Sequence, residues 1–147
     1  MPATPWTLTI DCADAGSQAR FWMAALGYVE KAPPEGWDTW EAWLADFDVP
    51  EDEWSDGAVL ADPDGVLPGL GFLRVPEGKT SKNRIHLDLQ VSGGRHLDAA
   101  LRTERIEAMV ARLVDSGGVV LRRDLQDGGS LDHAVMADPE GNEFCVV

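Results

Sequence analysis

The sequence is poor in cysteine and lacks long apolar runs. Its 147 residues include two cysteines, Cys12 and Cys145, too few and too far apart for a disulfide framework or a Cys-x-x-Cys metal site. Its longest apolar stretches have the length of a strand, which excludes a membrane span. No basic segment followed by an apolar one stands at the start, so no signal peptide is evident. These absences predict a cytoplasmic protein with two reduced thiols.

Basic residues are also scarce: 12 Lys and Arg stand against 26 Asp and Glu, a formal net charge of −14. A field of this sign repels phosphate backbones and argues against a nucleic-acid partner. The chain is 44% hydrophobic and has the length of one domain, so a core can be built. The composition therefore predicts a single domain over 1–147 that binds neither nucleic acid nor a membrane.

A seven-residue motif occurs twice in the chain. Val59–Gly65 and Val135–Gly141 are identical at five of seven positions and share the turn sequence Asp-Pro-x-Gly. Proline fixes φ at the second turn position, and glycine closes the turn. A further apolar stretch follows each copy, at Leu67–Val75 and Glu143–Val147. Each copy is therefore predicted to form a β-hairpin.

The segments before the two hairpins also correspond. Trp6–Ile10 and Ile85–Val91 alternate in the manner of strands, and an apolar helical stripe follows each. The stripes are Phe21, Trp22, Ala25 and Leu26 in the first half and Ile106, Met109, Val110, Leu113 and Val114 in the second. The pattern predicts an α+β fold of two tandem βαβββ modules, the first at about residues 5–77 and the second at about 83–147.

The halves differ by an insertion at about residues 33–57, which holds four of the chain's six tryptophans. Trp40, Trp43, Leu44 and Phe47 fall on one face of a predicted helix. Two interpretations stay open. The helix covers the core, or Trp40 and Trp43 wall a ligand cavity or a dimer contact, because large aromatic side chains favour both places.

Taken together, these motifs resemble the vicinal-oxygen-chelate superfamily, and more narrowly its glyoxalase-like domain subgroup. The superfamily includes glyoxalase I, extradiol dioxygenases, fosfomycin-resistance enzymes and bleomycin-resistance proteins. The segments that carry the resemblance are Leu8–Asp14, Phe21–Trp22, Leu26–Tyr28, Val75–Glu77, Lys82–Leu89 and the closing hairpin Asp138–Cys145. The resemblance implies that the modules form a cupped, barrel-like mixed sheet with helices outside and a pocket inside the curve. It also implies a homodimer.

Enzymes of this superfamily usually hold one divalent metal with a His or Gln from each module's first strand and a Glu from each module's last. His86 corresponds to the first-strand ligand of the second module, whereas Thr7 stands at the equivalent position of the first. Leu67–Val75, the last strand of the first module, contains no carboxylate. The resemblance thus implies an incomplete ligand set.

The last strand of the second module also departs from the family pattern. Relatives that bind metal have a Glu seven residues after the Asp of the turn, but seven residues after Asp138 this chain has Cys145. Glu143 lies two residues earlier on the same face. The divalent metal site implied by the resemblance therefore consists of His86 with Glu143 or Cys145, with His86 and Glu143 as the catalytic pair.

Polar residues alternate with apolar ones along the first strand of each module. Thr7 and Thr9 share one face of the first, and His86, Asp88 and Gln90 share one face of the second. Polar groups on a concave face are costly unless they are hydrated, bonded or used. His133 lies on the strand before the second turn. We predict these substrate contacts: Thr7, Thr9, Asp88, Gln90, His133 and the insert's Trp40 and Trp43.

Three functions remain open from the sequence. One is small-molecule binding, with the ligand sequestered in the bleomycin-resistance manner; the acidic surface favours a cationic ligand. Another is a metal-dependent isomerase, lyase or dioxygenase. In the last, the fold serves assembly alone and its cavity is filled. The depleted metal-ligand set favours binding over catalysis, so the sequence leaves open whether the protein is an enzyme.

Overall fold

The structure, a computed structural model, describes residues 1–147. The chain divides into two compact units. The first comprises Met1–Met23 and Gly27–Gly78, and the second comprises Ala24–Leu26 and Lys79–Val147. Each unit contains one four-stranded mixed sheet, and neither sheet closes into a barrel. The predicted α+β class with two βαβββ modules is confirmed, whereas the single domain over 1–147 stays a prediction.

The first unit is built on strands at both ends of its sequence. Its elements are β1 (Leu8–Cys12), α1 (Ala15–Leu26), of which the last three residues belong to the second unit, β2 (Val29–Glu30), α2 (Trp40–Asp46), a 3₁₀ turn (Glu51–Glu53), β3 (Gly57–Ala61) and β4 (Leu70–Arg74). The sheet order is β1-β4-β3-β2, with β1 parallel to β4 and the other pairs antiparallel. Helix α1 is capped at its N-terminus by Asp14, whose carboxylate accepts the N–H of Ser17, and at its C-terminus by Gly27 with φ of 71°.

The predicted insert helix exists as α2, but none of its residues is buried. Its aromatic side chains contact one another instead: the ring centroids of Trp40 and Trp43 lie 5.6 Å apart, and those of Trp43 and Phe47 lie 4.9 Å apart. The Trp40 indole N–H donates to the carbonyl oxygen of Lys31 at 2.7 Å. Packing among its own rings therefore orders the insert.

The second unit repeats the topology of the first without the insert. Its elements are β5 (Asp88–Leu89), α3 (Ala99–Asp115), β6 (Val119–Leu125), β7 (Leu131–Ala137) and β8 (Glu143–Val146). The sheet order is β5-β8-β7-β6, again with the outer first strand parallel to its neighbour. Helix α3 buries Arg102, Ile106, Val110 and Leu113, which lie on one face at helical spacing.

Strand β5 is shorter than the predicted strand Ile85–Val91, because regular pairing holds only at Asp88 and Leu89. Hydrogen bonds to β8 extend beyond these two residues. The carbonyl of Leu87 accepts the N–H of Cys145 at 2.9 Å, and the N–H of Val91 donates to the carbonyl of Val147 at 2.8 Å. Ile85, at the start of the prediction, is 73% exposed. Because the segment lies at the edge of the sheet and Ile85 is not buried, the end of the segment at Ile85 stays unpaired.

Both Asp-Pro-x-Gly motifs form the predicted turns. The carboxylates of Asp62 and Asp138 each accept the backbone N–H of the residues two and four positions later, at 2.9 to 3.1 Å. The motif glycines have positive φ, 69° at Gly65 and 87° at Gly141, which any other residue adopts at a cost. The repeat is therefore a side-chain-capped turn that joins two antiparallel strands in each unit.

Candidate functional site

The second unit contains a cavity of about 580 Å³. This volume falls in the range of about 300–1,000 Å³ that is usual for small-molecule sites. The walls come from β5 and its flanks, the loop that follows, α3, β7 and β8. The lining residues are His86, Asp88, Gln90, Ser92, Gly93, Gly94, Arg95, Arg102, Asp132, His133, Cys145 and Val147.

The polar face predicted for the second module's first strand is one wall of this cavity. His86, Asp88 and Gln90 all line it, as strand alternation requires. The Nδ1 of His86 lies 3.1 Å from the Oδ1 of Asp88, and each side chain is 50% exposed. Cys145 is the register partner of Asp88 across the β5–β8 pair. A histidine, a carboxylate and a thiol are therefore neighbours on this wall.

These three side chains together could hold a metal ion. The ligand atoms of His86, Asp88 and Cys145 all lie within 4.8 Å of one another. Nitrogen, oxygen and sulfur donors together suit Zn²⁺, and three protein ligands leave a position open, as in catalytic zinc sites. Burial, and then the charge and hydrogen bonding of Asp88, raise the pKa of the Cys145 thiol, so a metal has to displace its proton. The residues fit a divalent metal, which when bound would polarise a ligand oxygen.

Glu143, predicted both as a metal ligand and as a catalytic residue, does not belong to this group. Its carboxylate is paired with the Nζ of Lys82, and the hydrogen bond from that ammonium lowers the pKa of Glu143. Its backbone N–H donates to the Oδ1 of Asn83 at 3.1 Å. In the structure Asp88 occupies the place beside His86 and Cys145, and the roles of Glu143 stay predictions.

His133 is held between two carboxylates on the β6–β7 side of the cavity. Its Nδ1 lies 2.9 Å from the Oδ2 of Asp132, and its Nε2 lies 2.9 Å from the Oδ2 of Asp124. Both ring nitrogens of His133 therefore contact a neighbouring carboxylate, and the two contacts fix the orientation of the imidazole at the cavity wall.

Two arginines and an aspartate were missed by the sequence reasoning. Arg95, Arg102 and Asp132 line the cavity beside His133. Hydrogen bonds, from His133 first and then from Gln126, lower the pKa of Asp132. One signal was available for Arg102: it lies four residues before Ile106 on the apolar stripe of α3, where a charged residue is unexpected.

The remaining predicted site residues lie in the first unit. Thr7 and Thr9 are exposed, and Thr9 is opposite Gly71 in the β1–β4 pair. Trp40 and Trp43 are half-buried in the ring cluster of α2. Their predicted contacts with a ligand stay predictions.

Residues 7–147 match the family model of the glyoxalase-like domain. The chain belongs to this family. No curated protein matches it. No helix of the structure combines the length and the apolar character that crossing a bilayer needs.

Solved structures resemble the chain over nearly its whole length. Hypothetical protein SA1046 of S. aureus has a TM-score of 0.58 at 14% identity, covering 97% of this chain and 95% of that one. A glyoxalase/bleomycin resistance/dioxygenase family enzyme from Burkholderia phytofirmans PsJN has a TM-score of 0.59 at 15% identity, with coverages of 95% and 94%. The fosfomycin resistance protein FosX from Listeria monocytogenes, complexed with Mn(II) and 1S,2S-dihydroxypropylphosphonic acid, has a TM-score of 0.62 at 10% identity, with coverages of 99% and 90%. At these identities the likeness establishes the vicinal-oxygen-chelate fold.

Proposed function

We propose that the chain is a small-molecule-binding protein whose ligand occupies the cavity of the second unit. The observation that supports this function is the convergence of polar side chains on a cavity of about 580 Å³. Binding sites of this size typically combine apolar walls with a few polar groups that fix the orientation of the ligand. The side chains that line this cavity come from four elements, which are β5, α3, β7 and β8, and from the segments beside them.

The chemistry of the cavity supports sequestration more than catalysis. Both ring nitrogens of His133 face carboxylates, and the raised pKa of Cys145 keeps its thiol protonated at neutral pH. A nucleophile needs a thiolate, which Cys145 in this environment does not supply. We therefore propose that the protein holds its ligand unchanged, as the bleomycin-resistance interpretation of the sequence has it.

Ligand-observed NMR with a fragment library of anionic, neutral and cationic members tests this function. The blocking variant is Gln90→Trp, because Gln90 is exposed and lines the cavity. The matched control is Val29→Trp, at a 47% exposed position of β2 outside the lining. We expect fragments that bind the wild type and the control but lose binding in Gln90→Trp. Fragments that bind all three proteins equally, or none at all, would contradict the proposal.

A second candidate function is metal-dependent catalysis, favoured by the proximity of His86, Asp88 and Cys145. Elemental mass spectrometry on dialysed protein after incubation with Zn²⁺ separates the two functions. The catalytic function predicts near-stoichiometric zinc in the wild type and in His96→Ala, an exposed histidine outside the cluster, and its loss in His86→Ala. Zinc absent from the wild type, or retained in His86→Ala, removes this candidate.

We also propose that the protein is a cytoplasmic homodimer. Both cysteines are free, which suits a reducing compartment. The edge strand β6 exposes apolar side chains, with Leu121 48% and Leu125 63% exposed, and a second copy can cover such an edge. Light scattering should give twice the mass of the chain for the wild type and a monomer for a Leu121→Lys, Leu125→Lys double variant. A monomeric wild type at all concentrations would exclude the dimer.

A further inference from the structure

We propose that the ligand carries an oxyanion, a carboxylate or a phosphoryl group, and that Arg102 binds it with Arg95 as a second cation. This inference rests on the proposed function, because it assigns a chemical class to the ligand of the same cavity. It reverses the expectation of a cationic ligand that the acidic composition gave.

Arg102 is a buried cation without a hydrogen-bonded counter-ion. Its residue is 4% exposed, and it lies on the buried face of α3 while lining the cavity. Its Nε has no hydrogen-bond partner, and its Nη2 lies 3.8 Å from the Oδ1 of Asp132, beyond hydrogen-bonding distance. A buried guanidinium is costly unless a partner satisfies its donors.

Asp132 does not fill this role, because its carboxylate is already used by three other donors. The Nη2 of Arg95 donates to its Oδ2 at 3.0 Å and lies 2.9 Å from its Oδ1. The Nε2 of Gln126 donates to Oδ1 at 2.9 Å, and the Nδ1 of His133 lies 2.9 Å from Oδ2. A carboxylate offers about four lone-pair sites, and these contacts occupy most of them. The Arg102 donors are therefore available to a partner that comes from outside the chain.

The donors that remain on Arg102 select an oxyanion. The Nε and one Nη of a guanidinium form a planar fork that matches two oxygens of a carboxylate or phosphoryl group. An amide or hydroxyl oxygen satisfies the hydrogen bond but brings no negative charge to the buried guanidinium. Arg95, which is 76% exposed, adds a second positive charge at the open side of the cavity. The other charged groups on the lining, Asp88 and Asp132, are paired with His86 and with the Arg95–His133 group.

Isothermal titration with inorganic phosphate, methylphosphonate and acetate tests the inference at constant ionic strength, with chloride as the reference anion. The test variant is Arg102→Met, which keeps much of the side-chain volume and removes the charge. The matched control is Arg20→Gln, which changes the net charge equally at an exposed position of α1. Phosphate and methylphosphonate binding without acetate binding assigns a phosphoryl ligand; the reverse assigns a carboxylate.

We expect at least one of the three anions to bind the wild type, with affinity about ten-fold or more weaker in Arg102→Met and unchanged in Arg20→Gln. The melting temperature of Arg102→Met should stay equal or rise, because the variant removes a buried charge that makes no hydrogen bond to its nearest carboxylate and so relieves its desolvation. If Arg102 only braces Asp132, the melting temperature falls and anion affinity does not depend on residue 102. That result, or no anion binding by the wild type, overturns the inference.

Should Arg102→Met fail to fold, Arg102→Lys and Arg95→Gln serve in its place, since lysine keeps the charge but lacks the planar fork. Both should weaken anion binding. The results can reject the oxyanion ligand without rejecting small-molecule binding in the cavity. Neutral fragments that Gln90→Trp blocks, with no anion bound, retain the function and remove the inference; fragments insensitive to Gln90→Trp remove the function itself.

Discussion

Cys145 stands at the position where the resemblance places a metal-ligand Glu, and its environment gives it a specific chemistry. Burial is the first cause of its raised pKa, and the neighbouring carboxylate of Asp88 is the second. The thiolate, not the thiol, reacts with alkylating reagents. Cys145 should therefore be slow to react at neutral pH although it lines an open cavity.

Removing the charge of Asp88 should accelerate that reaction. We expect Asp88→Asn to raise the rate of iodoacetamide labelling of Cys145 at pH 8 by roughly three-fold or more, because a fall of one pKa unit increases the thiolate fraction about ten-fold. Peptide mass spectrometry separates Cys145 from Cys12, which is 4% exposed and serves as the internal control. An unchanged or slower rate at Cys145 would show that Asp88 does not act on the thiol.

The residues of the site were predictable where one strand's alternation decides them, and not where packing between elements does. His86, Asp88 and Gln90 share a face because side chains alternate along an extended chain. Arg102 reaches the same cavity from α3, and Arg95 reaches it from the loop before that helix. Their positions depend on how the helix packs on the sheet, and a local sequence pattern does not predict that packing.

At the scale of elements, the repeated turn is the feature that sequence reasoning described best. Its proline and glycine positions predicted the hairpins, but the capping role of the leading aspartate emerges only from the structure. The two copies also differ in burial, since Asp138 is 2% exposed while the hydrogen bonds of Asp62 are solvent-exposed. The same motif should therefore contribute unequally to stability in the two units.

Replacement of the buried aspartate tests this difference. Asp138→Ala leaves the N–H groups of Glu140 and Asn142 without their acceptor, and we expect it to lower the free energy of unfolding by about 2–3 kcal/mol. Asp62→Ala should cost less, because water can replace the lost acceptor. Urea denaturation of the two variants beside the wild type measures both values. Equal losses, or a larger loss in Asp62→Ala, would contradict the assigned role of burial.

Strand β5 marks the limit of prediction for elements. The alternation of apolar and polar residues over Ile85–Val91 correctly predicted which side chains face the cavity. It predicted a longer strand than the structure has, because only Asp88–Leu89 is paired. Alternation reports the faces of an extended segment, whereas pairing requires a partner along its whole length. The insert helix was predicted at the right place, but the sequence did not show that its rings pack on one another.

At the scale of the whole molecule, the net charge of −14 coexists with carboxylates that the fold stabilises in their ionised form. The pKa is lowered at Asp62, Glu107, Asp132 and Glu143, in each case chiefly by hydrogen bonds donated to the carboxylate. A carboxylate whose pKa is lower in the folded state contributes stability above its unfolded pKa and loses it as the pH falls through the folded value.

Stability should therefore fall with acid. We expect the urea midpoint to be level near neutrality and to decrease below about pH 5, where unfolded carboxylates begin to take up protons. Salt at about 0.5 M screens the net charge and keeps self-repulsion from masking the trend. Glu107→Gln removes one of the four groups and should flatten the slope. A midpoint that rises between pH 5 and pH 3 would contradict the assignment.

The overall architecture was predictable because one supersecondary unit occurs twice, and a repeated motif fixes the correspondence of elements. The charge of the ligand stays a prediction, because composition averages over the whole surface whereas a few residues line the cavity. The acidic total suggested a cation, whereas the unpartnered donor of Arg102 favours an anion.

The proposed function requires that the ligand bind in the cavity of the second unit. Amide chemical-shift mapping in ¹⁵N-labelled protein, titrated with the strongest-binding fragment of the library, tests it most directly. We predict that the amides of the lining residues, including Gly93 and Gly94, show the largest chemical-shift changes. The amide signals of Gly27 and Gly117, which lie outside the lining, should not change. Shifts confined to other parts of the chain, such as the ring cluster of α2, would contradict the claim.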